Sequence, residues 1–436
     1  MKKLVALLLA LTVVFGLAVT ASALEVNTEI SGDITFLTWG EPTRGVAMTK
    51  IAEKFMEYYP NVKVTIDCAG DNFTTKFMTL AAAGTPADVV LVNELYGAGY
   101  FCNGMYEDLT PFLENDPEFV AEVMDKVPDD VKNVFNWQGS YFALPTMNYV
   151  FSLYYNKDMF DAAGISYPDA TWTWDDVRKA ANAMTLQDAN GVTTQYGIYF
   201  TREIVYEFSW FFNNGSYIIS NDRTKCDLDS DGAIETWTWM QDMIHKDHCA
   251  PVPDTTAGGS QLAAMSFDTG NVAMQLFGSW MLPTYETLPF RWDAAPIPSK
   301  DGTVAGFSSS CPNGFGIGKG TKYPEAAWAF AKFCTSEEGQ LMIAEAGLAQ
   351  PTLESVMESD AFYKGSSVAD MDLIRESLKT CKGPNAVPRW DEILQNYISV
   401  AVDNILIYGN DVATEAKICA EGVNQILQEI QDGIYN

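Results

Sequence analysis

The sequence predicts an α/β protein of two lobes joined by a hinge, and three observations carry that expectation. Strand-like and helix-like runs alternate from Ile34 onward, at the spacing of a parallel sheet with helices on its faces. The 436 residues are too many for one simple core. No internal repeat, low-complexity tract or long linker divides the chain, so its lobes are tied by short strand-like crossings that form a hinge.

The chain opens with Met1-Lys2-Lys3, an apolar run over residues 4–19 and Ala21-Ser22-Ala23, the plan of a secretory signal cleaved after Ala23. The run is too short for a membrane span, and no cysteine at its end offers a lipid anchor. An exported protein, periplasmic or extracellular, is expected. Removing Lys2 and Lys3 takes the net charge from −30 to −32. So acidic a surface repels phosphate backbones and anionic headgroups, which excludes nucleic acid and membrane surfaces as partners. With 47 % hydrophobic and 19 % charged residues, the chain still has the composition of a core-forming globular protein. The eight cysteines are scattered without C-x-x-C spacing, so zinc and thioredoxin-like sites are not expected; disulfides and buried free thiols both remain open.

In chain order, residues 34–39 (ITFLTW) read as a strand broken by Gly40-Glu41-Pro42. Met48, Ile51, Ala52, Phe55 and Tyr59 fall at helical spacing before Pro60, and Val62, Val64 and Ile66 alternate as a strand. A helix over 73–83 stops at Gly84, and 88–93 (DVVLVN) reads as a strand buried on both faces. Ligands of such sheets lie beyond the carboxyl ends of the strands, which points to Thr38, Trp39 and Glu41 and to Asn93 and Tyr96. A hairpin is expected about Gln138-Gly139, a strand over 149–155, and a capping box at Thr173–Asp176 ahead of the apolar stripe Val177, Ala180, Ala181 and Met184. Residues 206–212 form an aromatic cluster read mostly as core, with Trp210 as the exception. Tyr323-Pro324-Glu325 opens a helix with proline in its first turn. The chain closes with helices, Ile393, Leu394, Tyr397, Ile398, Ala401, Val402 and Ile405 sharing one stripe.

The stretch 267–310 is the candidate centre of function. Gly278-Ser279-Trp280 follows an apolar strand-like run, so an indole and a hydroxyl sit beside a glycine that permits close approach. A pyranose presents an apolar C–H face to an aromatic plane and a rim of hydroxyls to hydrogen-bonding groups, and Trp280 with Ser279 offers both. A core or interface role explains Trp280 taken alone equally well.

Several stretches carry a wider resemblance: residues 55–64 (FMEYYPNVKV), 80–90 (LAAAGTPADVV), 153–158 (LYYNKD) followed by 173–177 (TWDDV), 270–274 (GNVAM) leading to Gly278-Ser279-Trp280, and 325–330 (EAAWAF) leading to 335–340 (TSEEGQ). In this order they resemble the extracellular solute-binding proteins of bacterial ABC importers, the maltose-binding-protein-like sugar-binding family. The resemblance implies the two-lobe periplasmic-binding-protein fold, type II-like, with about three crossings and the ligand cleft between lobes. It places residues 24–147 with 311–349 in one lobe and 148–310 with 350–436 in the other. It also implies a monomer that binds a sugar, an oligosaccharide, by hinge closure and hands it to ABC permease subunits in the membrane, with no cofactor. Trp39, Glu41, Asn93, Asn148 and Trp280 are the ligand-binding positions it implies, with Trp210, Ser279, Phe307 and Arg389 added.

Other chemistries find less support. A glycan hydrolase needs two placed carboxylates, and among 57 acids nothing singles out a pair. There is no G-x-S-x-G, and the two histidines, His245 and His248, are neighbours better explained as a helix end than as metal ligands. Asp227-Leu228-Asp229-Ser230-Asp231-Gly232 mimics a calcium loop, but Thr238 stands where a bidentate glutamate is required, so a capped turn is expected. A secreted glycan-active hydrolase, and a binding protein for a peptide or polyamine, are the alternatives.

Overall fold

The computed structural model describes residues 27–40, 42–253, 265–302, 306–362, 368 and 371–435, so the expected signal and Glu41 lie outside the described residues. Two sheets organise the chain. The first has six strands in the order Gln350–Pro351, Leu144–Asn148, Asn313–Ile317, Val89–Asn93, Gly32–Thr38 and Val62–Cys68. The second has five, Trp292–Ala295, Phe151–Asn156, Val272–Gly278, Thr193–Tyr199 and Leu186–Gln187.

The expected parallel start of the first sheet is present: Phe36 lies opposite Ile66 on one side and Val89 on the other. The helix Pro42–Tyr58 buries Met48, Ile51, Ala52 and Phe55 against it, each large side chain contributing about 1.5–3 kcal/mol. Asn313–Ile317 then inserts antiparallel between Val89–Asn93 and Leu144–Asn148, so the sheet is mixed. The hairpin turns on Gln138 (φ 51°) and Gly139 (φ 93°), both left-handed. The capping box at Thr173 starts the helix Trp174–Met184, and Ser230 caps Asp231–His245, so the calcium-like stretch is a capped turn. The terminal stripe forms one continuous run from Trp390 to Ile407 in which Leu394–Ile398 and Asp403–Ile407 are wound as π-helix. None of the eight cysteines is in a disulfide.

The chain passes from the first sheet to the second through Tyr149 and Val150, returns through residues 308–312, and leaves the first sheet again after Pro351. These crossings are bonded to one another. Cys311 N–H donates to Tyr149 O at 2.9 Å, Ser279 N–H to Val150 O at 2.8 Å, and Ser310 N–H to Lys382 O at 2.9 Å. Farther out, the Arg223 guanidinium reaches across to the carbonyls of Asn133 (3.0 Å) and Asn136 (3.1 Å) and lies over the Trp137 ring. Among the described residues no helix is long and apolar enough to cross a membrane.

Candidate functional site

Strand directions decide where a site can form. Thr38, Asn93 and Asn148 end their strands at one edge of the first sheet, and Asn313 lies opposite Asn93. In the second sheet Gly278 ends its strand opposite Phe151, which enters directly from the first crossing. The two edges therefore face each other across Tyr149, Val150 and residues 308–312, at the carboxyl ends where α/β sheets hold ligands.

Trp280 stands at this junction. Its indole lies on Gly278, where an added Cβ would come within 1.9 Å of the ring, so glycine is required beneath it. Tyr149, Phe151, Tyr206 and Phe277 surround it with centroids 5.4–5.8 Å away, and the ring stays half-buried, in contact with both hydrophobic cores. Trp39 is half-buried too, edge-on to Phe73 at 4.9 Å. Next to Trp39, the Arg44 side chain folds over Gly40, and its Nη2 donates to the hydroxyl of Tyr149 at 3.1 Å. Asn93 is half-buried, its Oδ1 accepting from Leu95 N–H at 2.8 Å.

The other expected positions fall elsewhere, and each has a physical reason. Trp210 is corrected to the core: it is 0 % exposed, packed on Trp174 and Trp239, and its Nε1–H donates to Glu207. Ser279 is fully buried as a hinge fastener; its Oγ accepts from Val150 N–H (3.2 Å) and donates to Gln350 Oε1 (2.9 Å), leaving no hydroxyl for a sugar rim. Asn148 is likewise sealed inside the crossing, donating to Cys381 Sγ at 3.4 Å, and its neighbour Tyr149 is the residue that meets Trp280. Phe307 lies under the Lys382 ammonium, with its backbone N–H and carbonyl both held by Asn213. Arg389 is spent on Glu392 (2.8 Å) and Glu429 (2.6 Å).

Two further residues, Glu94 and Tyr206, lie beside the crossing segments. Glu94 directly follows the buried strand Val89–Asn93 and is 3 % exposed, with Asn313 Nδ2 at 3.4 Å and the Cys311 thiol as its side-chain partners. Burial pushes its carboxyl up to about 7. The strand-end rule that selected Asn93 would have selected Glu94 had it been carried one residue further. Tyr206 sat in a run read as core; its ring in fact meets Trp280 and Phe277, and its hydroxyl is raised first by burial and then by neighbouring charges that include Glu203 and Glu94. No group of three or more metal-ligating side chains occurs among the described residues.

Residues 39–341 match the family described as bacterial extracellular solute-binding protein. The chain belongs to that family. A putative binding protein of Brucella abortus is 22 % identical over 364 residues, covering 82 % of this chain and 84 % of its own. An arabinooligosaccharide-binding protein of Halalkalibacterium halodurans is 25 % identical over 242 residues, 52 % of each chain. Among solved structures, an ABC substrate-binding protein of Listeria monocytogenes in complex with cycloalternan superposes with a TM-score of 0.78 at 23 % identity, over 91 % of this chain and 99 % of the other. The GacH receptor of Streptomyces glaucescens, solved unliganded and with acarbose, gives a TM-score of 0.75 at 18 % identity over 92 % and 99 %. The fold is therefore the two-lobe α/β fold of ABC substrate-binding proteins, and the family and its neighbours are binding proteins.

Proposed function

We propose that this solute-binding protein takes a sugar, an oligosaccharide, between its two lobes by hinge closure and presents it unaltered to the permease of an ABC importer. The observation that carries the reading is Trp280: a partly exposed indole fixed on a glycine at the crossing between the two sheets and ringed by aromatic side chains. An aromatic plane beside hydrogen-bonding groups is what a pyranose ring requires. The oligosaccharide named for the Halalkalibacterium relative, and the cycloalternan and acarbose bound by the two solved neighbours, support the same ligand class.

In this reading Trp39 and Trp280 stack on sugar rings while Glu94, Asn93 and Glu41 take hydroxyls. The lobes divide near 148, 310 and 351, the mature chain begins after Ala23, and the protein acts outside the cytoplasm as a monomer without catalysis. A thermal-shift screen across oligosaccharides, amino acids and polyamines tests it. Saturation at about 100 times Kd adds about 2.7 kcal/mol to stability. A shift with oligosaccharides alone supports the reading; a shift with amino acids or polyamines alone replaces it, and turnover of a bound sugar by the purified protein restores the hydrolase alternative.

A further inference from the structure

We infer that the sugar taken by this protein carries a carboxylate, as a uronic acid or an oligosaccharide containing one, and that Arg44 is the residue that holds it. The inference rests on the proposed sugar reading and narrows its ligand class.

The seven arginines of the chain divide by what holds them. Arg178, Arg202, Arg291, Arg375 and Arg389 each lie on at least one carboxylate. Among the described residues Arg223 and Arg44 lie on none. The Arg223 guanidinium is satisfied instead by the backbone carbonyls of Asn133 and Asn136. Arg44 is not: its Nη2 donates to the Tyr149 hydroxyl at 3.1 Å, while its Nη1 is shut off from water and has no acceptor. Among the described residues it is the one cationic nitrogen so placed. In a chain with 57 acidic side chains against 27 Lys and Arg, a carboxylate is the partner an arginine most easily finds, and burying a guanidinium nitrogen without an acceptor is costly. The missing acceptor is therefore expected to arrive with the ligand.

The side chain is fixed in place for that role. Gly40, at φ 109°, follows Trp39 at the end of the strand Gly32–Thr38, and an added Cβ there would come within 2.7 Å of Arg44 Cδ and Nε. The arginine therefore lies over a missing side chain, as Trp280 lies over Gly278. The Tyr149 hydroxyl that anchors Nη2 is itself held, donating to Leu348 O at 2.7 Å, and the Tyr149 ring packs edge-on against Trp280 at 5.8 Å. Arg44 belongs to the opening turn of the helix Pro42–Tyr58, a turn that holds no acid and whose dipole favours an anion.

A carboxylate suits this geometry better than a hydroxyl. Both hydrogens of Nη1 are uncommitted, and Nη2 has a second one beside that given to Tyr149, so the fork can take the two oxygens of a carboxylate in parallel. A uronic acid carries its carboxylate at the rim of the ring and keeps a C–H face for an aromatic plane such as Trp280. The acidic balance of the chain opposes such an anion only at long range, because salt screens exposed charges beyond about 8 Å.

Matched ligands test this by titration calorimetry on the full mature chain. Glucuronate, galacturonate and mannuronate are compared with glucose, galactose and mannose, and oligomers of each uronate with their methyl esters of equal length, which keep the ring and remove the charge. In the series that binds, the acid is expected to bind at least about tenfold more tightly than its ester or neutral sugar, with a preference that shrinks between about 0.05 and about 0.5 M salt. Arg44→Gln is expected to cut that preference at least about fivefold, and Arg44→Lys, which keeps the charge but loses the fork, to cut it less. Thermal midpoints report whether each variant is folded, and the comparison of acid with ester on the native protein stands as evidence without them. If esters and neutral sugars bind as tightly as the acids, or if Arg44→Gln keeps the preference in full, this inference is overturned and the sugar reading stands. If no sugar of either kind binds, or if acetate and succinate bind as tightly as the uronates, the sugar reading falls and the inference with it.

Discussion

Two regions each combine a tryptophan with a buried glutamate, and they are built to opposite ends. In the second lobe, Trp210 and Glu207 are both 0 % exposed, and Glu207 accepts from Trp210 Nε1–H at 3.0 Å and Thr201 N–H at 2.7 Å. At the lobe junction, Trp280 is partly exposed, and Glu94 accepts from its own backbone N–H, from Asn313 Nδ2 at 3.4 Å and from the Cys311 thiol. Both glutamates are buried and hydrogen-bonded; what distinguishes the pairs is the indole, sealed in the core and bonded to its glutamate in Trp210, partly exposed at the crossing between the two sheets in Trp280.

The comparison is broken most forcefully at Trp210. Trp210→Ala is expected to cost about 3–5 kcal/mol of stability in urea melts while the remaining folded protein keeps its ligand affinity. Trp280→Ala should do the reverse, lowering affinity at least about tenfold in calorimetry while costing less than half as much stability, because its ring is already part exposed.

The glutamates sharpen the contrast through pH. Burial raises Glu207 to about 8 and Glu94 to about 7, both above the ordinary carboxylate value. The folded state therefore holds protons that the unfolded chain has released. This stabilising contribution is complete below the unfolded pKa, about 4.3, and is lost as pH rises through the folded values. Stability should fall between about pH 4.3 and 8. Glu207→Gln should flatten the decline up to about 8, and Glu94→Gln only up to about 7, as read from denaturation midpoints across pH.

Smaller effects come from the corrected positions. Ser279→Ala leaves Val150 N–H and Gln350 Oε1 short of a partner and is expected to cost about 1–3 kcal/mol, with less loss of affinity than Trp280→Ala. Arg389→Ala, which removes an ion pair with two glutamates, should cost about 1 kcal/mol and leave calorimetric affinity unchanged.

Much of the architecture was legible because periodicity and punctuation act locally. The stripe Met48, Ile51, Ala52, Phe55 and the capping box at Thr173 need no knowledge of distant residues, and both are present. The antiparallel entry of Asn313–Ile317 was not legible, since pairing of residues more than 200 positions apart leaves no local trace. At the site, the glycine beneath Trp280 could be read from Gly278-Ser279-Trp280 because close approach is written into the missing Cβ. The roles of Asn148 and Ser279 could not, because a polar side chain at a strand end turns inward or outward according to partners, here Cys381 and Gln350, supplied by remote segments. Trp210 misled for the same reason: its indole N–H found Glu207 within its own turn.

The most direct test is titration calorimetry of the oligosaccharide selected by the thermal-shift screen, run in parallel on the native protein, Trp280→Ala and Trp210→Phe. The account expects Trp280→Ala to lose at least about tenfold in affinity and Trp210→Phe to bind as the native protein does. Native affinity in Trp280→Ala would place the ligand away from the junction of the two sheets and contradict it.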